Sequence, residues 1–543
     1  MRGEARARIL MLVVAVTFLV ARDNARSQAP SSAASFQMRQ IAYVKASNTD
    51  AGDHFGCGGS LSGHTGNAVS FSRDGSTLAV GAPHESGGAK TVNGNQNDES
   101  VYNSGAVYVF VRQGGDWRQQ AYIKASNPGA SDQFGSVVSL SGDGNTLAVS
   151  APFESSAAKG VSGDQEDDSV PQAGAAYVFT RTGGTWSQQA YIKASNTGRP
   201  ADPRSAEDWG DGDQFGYSLD LSADGNTLAV AAITEDSRAA GVNTLDFQND
   251  DSAAQSGAVY VYARTGSAWA QQAYIKASNS EAGDLFGYNV GLSADGNVMA
   301  VSGYDEDGSG RQVNAIPDNR SNGAGCLYVF ERTGGVWRQT AYLKGSRSEA
   351  VDALGYSLAI SDDGNTIAGG AADETCLTPG VNPPGCIGGE ERNSSPGAAY
   401  VFVRAGNAWT EQAFFKASNP EMLDWFGVRV ALSGDGNTLA VSATSEDSVA
   451  QGINGRQNDN SANESGALYF FTRNGTTWSQ QAYVKGANTE AFDEFGTSLA
   501  LSYDGKLLAV GAPKEDSAAK GANGDQRDNS AQEAGAIYVF SVN

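Results

Sequence analysis

The sequence predicts an all-β fold: a seven-bladed β-propeller of four-stranded antiparallel blades, closed by an N-terminal strand that completes the last blade. Three observations carry this. Phe-Gly recurs at Phe55, Phe134, Phe215, Phe286, Phe426 and Phe495, with Leu354-Gly355 as a degenerate seventh copy, at spacings of 79, 81, 71, 68, 72 and 69 residues. The same succession of apolar runs and glycine turns follows each copy. The chain opens on "RQIAYVKASN", which elsewhere ends a unit, and closes on "GAIYVFSVN", a unit without that end. Each repeat leaves an apolar face that only a neighbour can cover, and radial packing covers all of them. A solenoid would need capping repeats at both ends, and none is visible.

Within a unit the four strands follow in order. The first runs from Phe-Gly through a segment such as "SVVSLS" to an Asp-Gly turn, Asp143-Gly144 in the second unit. Asp-Gly between apolar runs marks a tight hairpin, because that turn needs positive φ. The second strand is "NTLAVSAP", "STLAVGAP" or similar. The third, "GAVYVF", "GAAYVF" or "GALYFF", is apolar on both faces, as a strand buried between two sheets must be. A second glycine turn, Gly114-Gly115 or Gly183-Gly184, leads to the fourth strand, opened by Trp117, Trp186, Trp269, Trp337, Trp409 or Trp478. That strand is more polar, as an outer edge should be. The seventh unit lacks it, so the orphan strand around Ile41, Tyr43 and Val44 is expected to take its place.

Composition sets the setting. Residues 1–27 read as a signal peptide: Arg2, Arg6 and Arg8 precede an apolar stretch from Ile9 to Ala21, and Ala25-Arg26-Ser27 offers a cleavage site. That stretch is short of the roughly 20 residues a membrane span needs. Residues 28–35 are a short linker, and 36–543 the propeller. The formal charge of −24 becomes about −27 without the leader, which carries five Arg against Glu4 and Asp23. Nucleic acid is therefore an unfavourable partner, and a secreted or cell-surface, monomeric chain with no membrane insertion is expected. Of four cysteines, Cys376 and Cys386 share one loop and are expected to form a disulfide, whereas Cys57 and Cys326 read as buried thiols.

The paired signatures Phe-Gly and Gly-Ala-Pro (Gly81-Ala82-Pro83, Gly511-Ala512-Pro513, with Ser150-Ala151-Pro152 as a variant) resemble the FG-GAP repeats of the integrin α-chain N-terminal β-propeller. The resemblance spans residues 36–543. It implies an adhesion or binding role and, in the family, calcium held in the hairpin between strands one and two. Here that hairpin reads "SLSGDGNTLAV", with Ser139, Ser141 and Leu147 where ligands would stand and only Asp143 acidic. A hard cation wants six to eight oxygens, so these hairpins read as plain turns.

Three charges recur in all seven units: an Asp two before each Phe-Gly (Asp132 in unit two), a Glu after each Gly-Ala-Pro position (Glu154) and a Lys ending each fourth strand (Lys124 in unit one). Antiparallel strands put all three at one rim, where they would staple the blades structurally. The long loop between strands two and three opens on the same rim and carries Q-x-D-x-S in five units, supplying Asp98, Asp167, Asp250, Asp459 and Asp528 as candidate Ca2+ ligands. Unit four substitutes Asp305-Glu306-Asp307-Gly308-Ser309, the alternating oxygens of half a calcium loop. Such loops also close on themselves without metal. Departures from the repeat at Trp209, Asp211, Asp305, Asp307 and Arg311 could form one binding patch, or be drift in tolerant loops. No nucleophile, base or phosphate motif stands out, so the expected function is a non-enzymatic propeller engaging an extracellular protein or carbohydrate through its rim. The alternative is a polysaccharide-active or ester hydrolase or lyase with a site at the channel mouth.

Overall fold

A computed structural model describes residues 36–58, 66–198, 212–244, 247–386 and 394–543, and every structural statement below concerns these. They form seven antiparallel sheets. Blade 1 comprises Val69–Phe71, Thr77–Ala82, Ala106–Gln113 and Asp116–Ile123, ordered from the central channel to the periphery. Blades 2 to 6 repeat this order. Blade 7 lines up Leu499–Leu501, Leu507–Ala512 and Ala536–Val542, and Met38–Val44 from the other end of the chain is its outer strand. Tyr43 stands opposite Tyr538, ring against ring at 5.3 Å. One blade departs from four strands: in blade 5 the two-residue strand Gly380–Val381 adds a fifth, pairing with Lys416 and Phe415. It belongs to the loop tied by the Cys376–Cys386 disulfide, which lies along that edge.

The core lies between blades. One apolar cluster joins Val107 and Val109 of blade 1 to Leu147, Val149 and Tyr177 of blade 2, all fully buried. Another joins Val44, Ile537 and Val539 of blade 7 to Leu78, Val80 and Tyr108 of blade 1. The Phe-Gly signature exists for this packing. Phe134 contacts Tyr177 and Phe179 edge-on at 5.2 and 6.0 Å, and its amide donates to the Ser104 carbonyl of blade 1 (3.0 Å). Gly135 follows with φ 100°, and a Cβ there would fall 2.5 Å from the Ala106 carbonyl oxygen. Only glycine permits that approach. Leu354 takes the Phe place in blade 5, still fully buried.

Every third-to-fourth strand pairing contains the same bulge, which leaves one residue of the outer strand unpaired: Gln120, Gln189, Gln272, Thr340, Gln412, Gln481 and, in the clasp, Ile41. A bulge re-aims its side chain. The Oε1 atoms of Gln120, Gln189, Gln272 and Gln412 accept the indole N–H of Trp186, Trp269, Trp337 and Trp478 in the next blade, at 3.1, 2.9, 3.0 and 2.9 Å. Where Thr340 stands instead, Arg404 reaches back to Glu331 at 2.6 Å. Gln481 faces blade 7, whose clasp strand brings no Trp, and bonds Ser479 of its own strand. The clasp strand is thus a true blade member that lacks the staple on both sides.

A second device circles the channel. In each hairpin one amide donates to the carbonyl of the next blade: Arg73 to Gly142, Gly142 to Ala223, Ala223 to Ala294, Ala294 to Asp362, Asp362 to Gly434, Gly434 to Tyr503, and Tyr503 back to Arg73, at 2.8 to 3.3 Å. The cycle closes only with seven members.

Removing residues 36–46 deletes the outer strand of blade 7 and opens the Val44–Ile537 cluster, in which each large aliphatic side chain is worth about 1.5–3 kcal/mol. The truncated chain is expected to aggregate or to melt well below the full chain, by size exclusion and calorimetry. A monodisperse truncation with an unchanged melting temperature refutes the clasp.

Candidate functional site: the loop-bearing rim

The Lys ends the outer strand and the Glu follows the second strand, so antiparallel pairing delivers both to one rim within a blade. All seven pairs form: Lys124–Glu85 (2.7 Å), Lys193–Glu154 (2.6 Å), Lys276–Glu235 (2.7 Å), Lys344–Glu306 (3.3 Å), Lys416–Glu374 (2.5 Å), Lys485–Glu446 (2.8 Å) and, across the clasp, Lys45–Glu515 (2.9 Å). Every lysine is fully buried. Burial pushes the Lys193 ammonium below its usual pKa, while the facing Glu154 pulls it back up. The second carboxylate oxygen is also satisfied: Glu154 accepts from Tyr191 Oη (2.8 Å) and from Asn127 Nδ2 of the preceding blade (3.0 Å).

That Asn recurs as Asn48, Asn127, Asn196, Asn279, Asn419 and Asn488, each bonding the Glu of the next blade. Blade 5 departs as a set. Arg347 holds the Asn position and Phe414 the Tyr position, and the guanidinium sits over that ring at 4.5 Å while donating to the Cys386 and Pro383 carbonyls (3.2 and 3.1 Å). The Asn was missed from the sequence although it repeats beside the Lys in every "KASN" or "KGAN". Lys124, read with Asp132 and Glu154 from the sequence, serves Glu85 of its own blade; in blade 2 the trio is Asp132, Glu154 and Lys193.

The recurring Asp does not join the ion pair. It caps its own loop: Asp132 accepts the Gly129 amide (2.7 Å), and Asp284, Asp352, Asp424 and Asp493 accept those of Glu281, Glu349, Glu421 and Glu490 at 2.7–2.9 Å. Burial raises all seven, with the neighbouring Glu adding to it against the lowering effect of the amide: Asp132, Asp284 and Asp424 to about 7, Asp53, Asp352 and Asp493 to about 8, and Asp213 upward as well.

Each candidate calcium residue is placed in its own turn, and among the described residues no three of their carboxylates converge. In the Q-x-D-x-S loops Asp98, Asp167, Asp250 and Asp528 accept the amides of Ser100, Ser169, Ser252 and Ser530 (3.0, 2.9, 3.2 and 3.1 Å), one carboxylate per turn. The Gln of the motif turns its carbonyl to the rim Asn, as Gln165 does to Asn127 (3.1 Å). Asp459 offers its carbonyl to the Val449 amide. Asp307 accepts the Gly323 amide (2.8 Å) and Ser309 bonds Asp318 through amide and hydroxyl (both 2.8 Å). Arg311 pairs with Glu349 (3.0 Å). Asp305 stays half-buried, raised to about 6 by burial and by Asp307. Among the described residues the one trio of His, Cys, Asp or Glu with converging ligand atoms is Glu374, Cys376 and Cys386, and both its sulfurs are spent in the disulfide. Trp209 and Asp211 lie outside the described residues, as does the core of the insertion at 58–67.

Residues that vary around the ring gather at the channel mouth of this rim, among them the Tyr that follows Phe-Gly or its equivalent in blades 3, 4 and 5. Tyr288 stacks on Tyr304 at 4.5 Å, Tyr217 and Tyr356 lean on Tyr288 at 5.4 and 5.9 Å, and half-buried Trp425 packs beside Tyr356. Buried Arg429 donates to the Thr497 and Val428 carbonyls (2.9 and 3.0 Å). Across the mouth, buried His54 and His84 meet edge-on at 4.8 Å, pushed down by burial to about 3 and about 4, which makes them poor proton acceptors at neutral pH. Below lies a cavity of about 200 Å³ lined by Asn67, Ser139, Ser218, Asp220 and Asn289 among others. Its polar groups are engaged: Asp220 accepts the Leu292 and Leu221 amides and the Ser139 hydroxyl at 2.8–2.9 Å.

The class of protein that fold and rim define is a binding-type β-propeller whose sevenfold charges are consumed internally. The FG-GAP repeat family matches residues 117–179, 269–330, 409–471 and 478–540, and the chain is an FG-GAP repeat protein, similar to the integrin α-chain propeller. No curated protein matches it in sequence. Similar solved structures include hydrazine synthase of Kuenenia stuttgartiensis (11% identity, TM-score 0.44, 83% of this chain and 93% of that one), the RRP9 WD40 repeats (9%, 0.44, 92% and 100%) and the Cps50 (Swd1) β-propeller domain of Myceliophteria thermophila (11%, 0.43, 89% and 97%).

Two outcomes follow from the rim. Lys193→Met leaves Glu154 buried without its cation and is expected to cost about 3–5 kcal/mol in urea unfolding, most of it recovered in the Lys193→Met/Glu154→Leu double variant. A double variant as damaged as the single would sink the pairing argument. For six of these Asp, a folded pKa of about 7–8 above an unfolded value near 4, with Asp213 raised in the same direction, means that the folded chain holds the extra protons. Their contribution is full below about pH 4 and lost as the pH rises through 7 to 8. The urea midpoint is expected to fall between pH 5.5 and 8.5, on the order of these pKa values, and Asp132→Asn, which mimics the protonated acid, should flatten the slope. A midpoint that rises across the window contradicts this.

Proposed function

We propose that the protein is an exported, non-enzymatic binding and adhesion propeller whose loop-bearing rim engages a protein or carbohydrate partner outside the cell. One observation carries the reading: the repeated polar residues are spent on the ring itself, while the residues that differ between blades collect on one rim and its channel mouth. The Cys376–Cys386 disulfide supports export, since such bonds persist in oxidising compartments. The reading does not depend on a metal.

A second reading, a hydrolase or lyase, has one observation in its favour. Asp305 and Asp373 are unrepeated carboxyls near the mouth, both raised by burial, as a catalytic acid would be. Tyr304, stacked on Tyr288 and leaning on Tyr356, lies within electrostatic reach of both carboxyls and fills space beside them that a substrate would need.

Glycan arrays and panels of purified extracellular proteins, probed with the full chain, are expected to give retention that drops on Asp305→Asn/Arg311→Ala and no turnover of chromogenic esters or polysaccharides. Turnover abolished by Asp373→Asn would replace the binder with the enzyme. Retention by neither panel would remove the binding reading.

A further inference from the structure

We infer that the rim arc over blades 5, 6 and 7 is a docking surface for a protein segment bearing both apolar and basic side chains. This rests on the binding reading above and narrows its partner from protein or carbohydrate to protein.

In six of the seven blades, blade 3 excepted, the residue just before the capping Asp sits on a seam between blades. Its amide donates to the long loop of the preceding blade: Gly52 to Gln532, Ser131 to Tyr102, Gly283 to Ala254, Val351 to Asn322, Leu423 to Ser394 and Phe492 to Asn463, at 2.6–2.9 Å. At each the backbone is left-handed, with φ of 83°, 65°, 91°, 71°, 69° and 70° in the same order. Blades 1 and 4 meet that demand with glycine, and blade 2 with serine. Blades 5 to 7 place Val, Leu and Phe there, and a β-branched or bulky residue in this region is a genuine outlier.

Burial returns nothing for the strain. Val351 is 40% exposed, Leu423 52% and Phe492 53%, and Met422 beside Leu423 is 62% exposed. A residue that is both conformationally costly and solvated, at three successive seams, serves something other than the fold.

The chemistry selects the occupant. Of the exposed seam residues only Phe492 offers a flat ring on which a sugar could stack; Val351, Leu423 and Met422 do not, so the arc as a whole suits aliphatic side chains. Glu349, Glu421 and Glu490 stand two residues before Val351, Leu423 and Phe492; Glu349 is shared with Arg311, while Glu421 and Glu490 accept only from the neutral Asn460 and Asn529 and keep their charge for a basic partner. With a net charge of −24, a second copy of the chain or an anionic lipid surface is repelled. A segment alternating leucine-like and lysine- or arginine-like side chains complements the arc in both respects.

The test uses the full chain and a fluorescent peptide of alternating Leu and Lys, with a Leu/Glu peptide and phosphatidylglycerol vesicles as alternatives. Fluorescence anisotropy at low salt is expected to show binding of the Leu/Lys peptide alone, weakened at least tenfold in the triple variant Val351→Gly/Leu423→Gly/Phe492→Gly, whose melting temperature is unchanged or raised. Tyr102→Ser, an exposed aromatic elsewhere on the chain, should leave binding intact. The inference is overturned by Leu/Lys binding indifferent to the triple change, by vesicle binding or concentration-dependent dimers that the triple change abolishes, or by a sharp fall in its melting temperature. If the arc fails while a partner from the extracellular panels is still retained, the binding reading stands without it.

Discussion

Everything in this molecule depends on closing a circle. Each blade covers one face of the next, so an open array of seven would leave two apolar faces in water; the pairing of Met38–Val44 with Ala536–Val542 removes both at once. The hairpin belt expresses the same constraint in hydrogen bonds. It runs in one direction, donor to acceptor, and the amide of Tyr503 finds its acceptor only because Arg73 is its neighbour. Such a belt has no ends to cap, and the polar groups that an inner edge strand would leave bare are used up.

Interblade contacts then divide by rim. At the hairpin side the bulge turns Gln outward to the indole of the next blade, a neutral bond that requires the outer strand to break its own ladder once per blade. At the loop side buried Lys–Glu pairs lie within a blade, and Asn and Tyr carry the connection between blades. Burying seven such pairs is costly unless each oxygen has a donor, and here each Glu is met by a lysine together with neighbours such as the Asn of the previous blade. Blade 5 illustrates how tightly these choices are coupled: once Phe414 replaces the tyrosine that would donate to Glu374, Arg347 replaces the Asn, and its guanidinium, stacked on Phe414 and bonded to the Cys386 and Pro383 carbonyls, favours the charged carboxylate from nearby without bonding it.

Much of this was legible in the sequence because repetition exposes whatever all blades share. The seven units, the clasp opposite Tyr538, the hairpin turns at Asp143 and its equivalents, the Cys376–Cys386 bond and the common rim of Glu and Lys could be read from spacing and alternation alone. The Gln–Trp bonds could not, since a bulge shifts register by one and nothing in "WSQQAY" says which Gln is left over. The partner of Glu154 from the preceding blade was hidden for a related reason: Asn127 is a residue type at home in any turn, and its role appears only when two blades are side by side. Nor does the sequence announce which residues adopt positive φ, because Val351 and Phe492 are among the last side chains expected there. The tyrosine cluster at the channel mouth escaped although Tyr217, Tyr288 and Tyr356 each follow Phe-Gly or Leu-Gly, because that position varies in the other four blades and only three neighbouring blades bring the rings together.

The clasp has a corollary for how the polypeptide could be rewired. The amide of Asn543 bonds the Gln37 carbonyl at 2.9 Å, so the last strand of blade 7 and the start of the clasp strand already touch. Met38 and Val542 face each other where other blades set Trp117 against Arg112, just short of a two-glycine turn. A short glycine linker could therefore splice start to finish, and the backbone could be cut at any other outer turn. Spliced in that way, the wheel could be entered at any spoke without altering the hub.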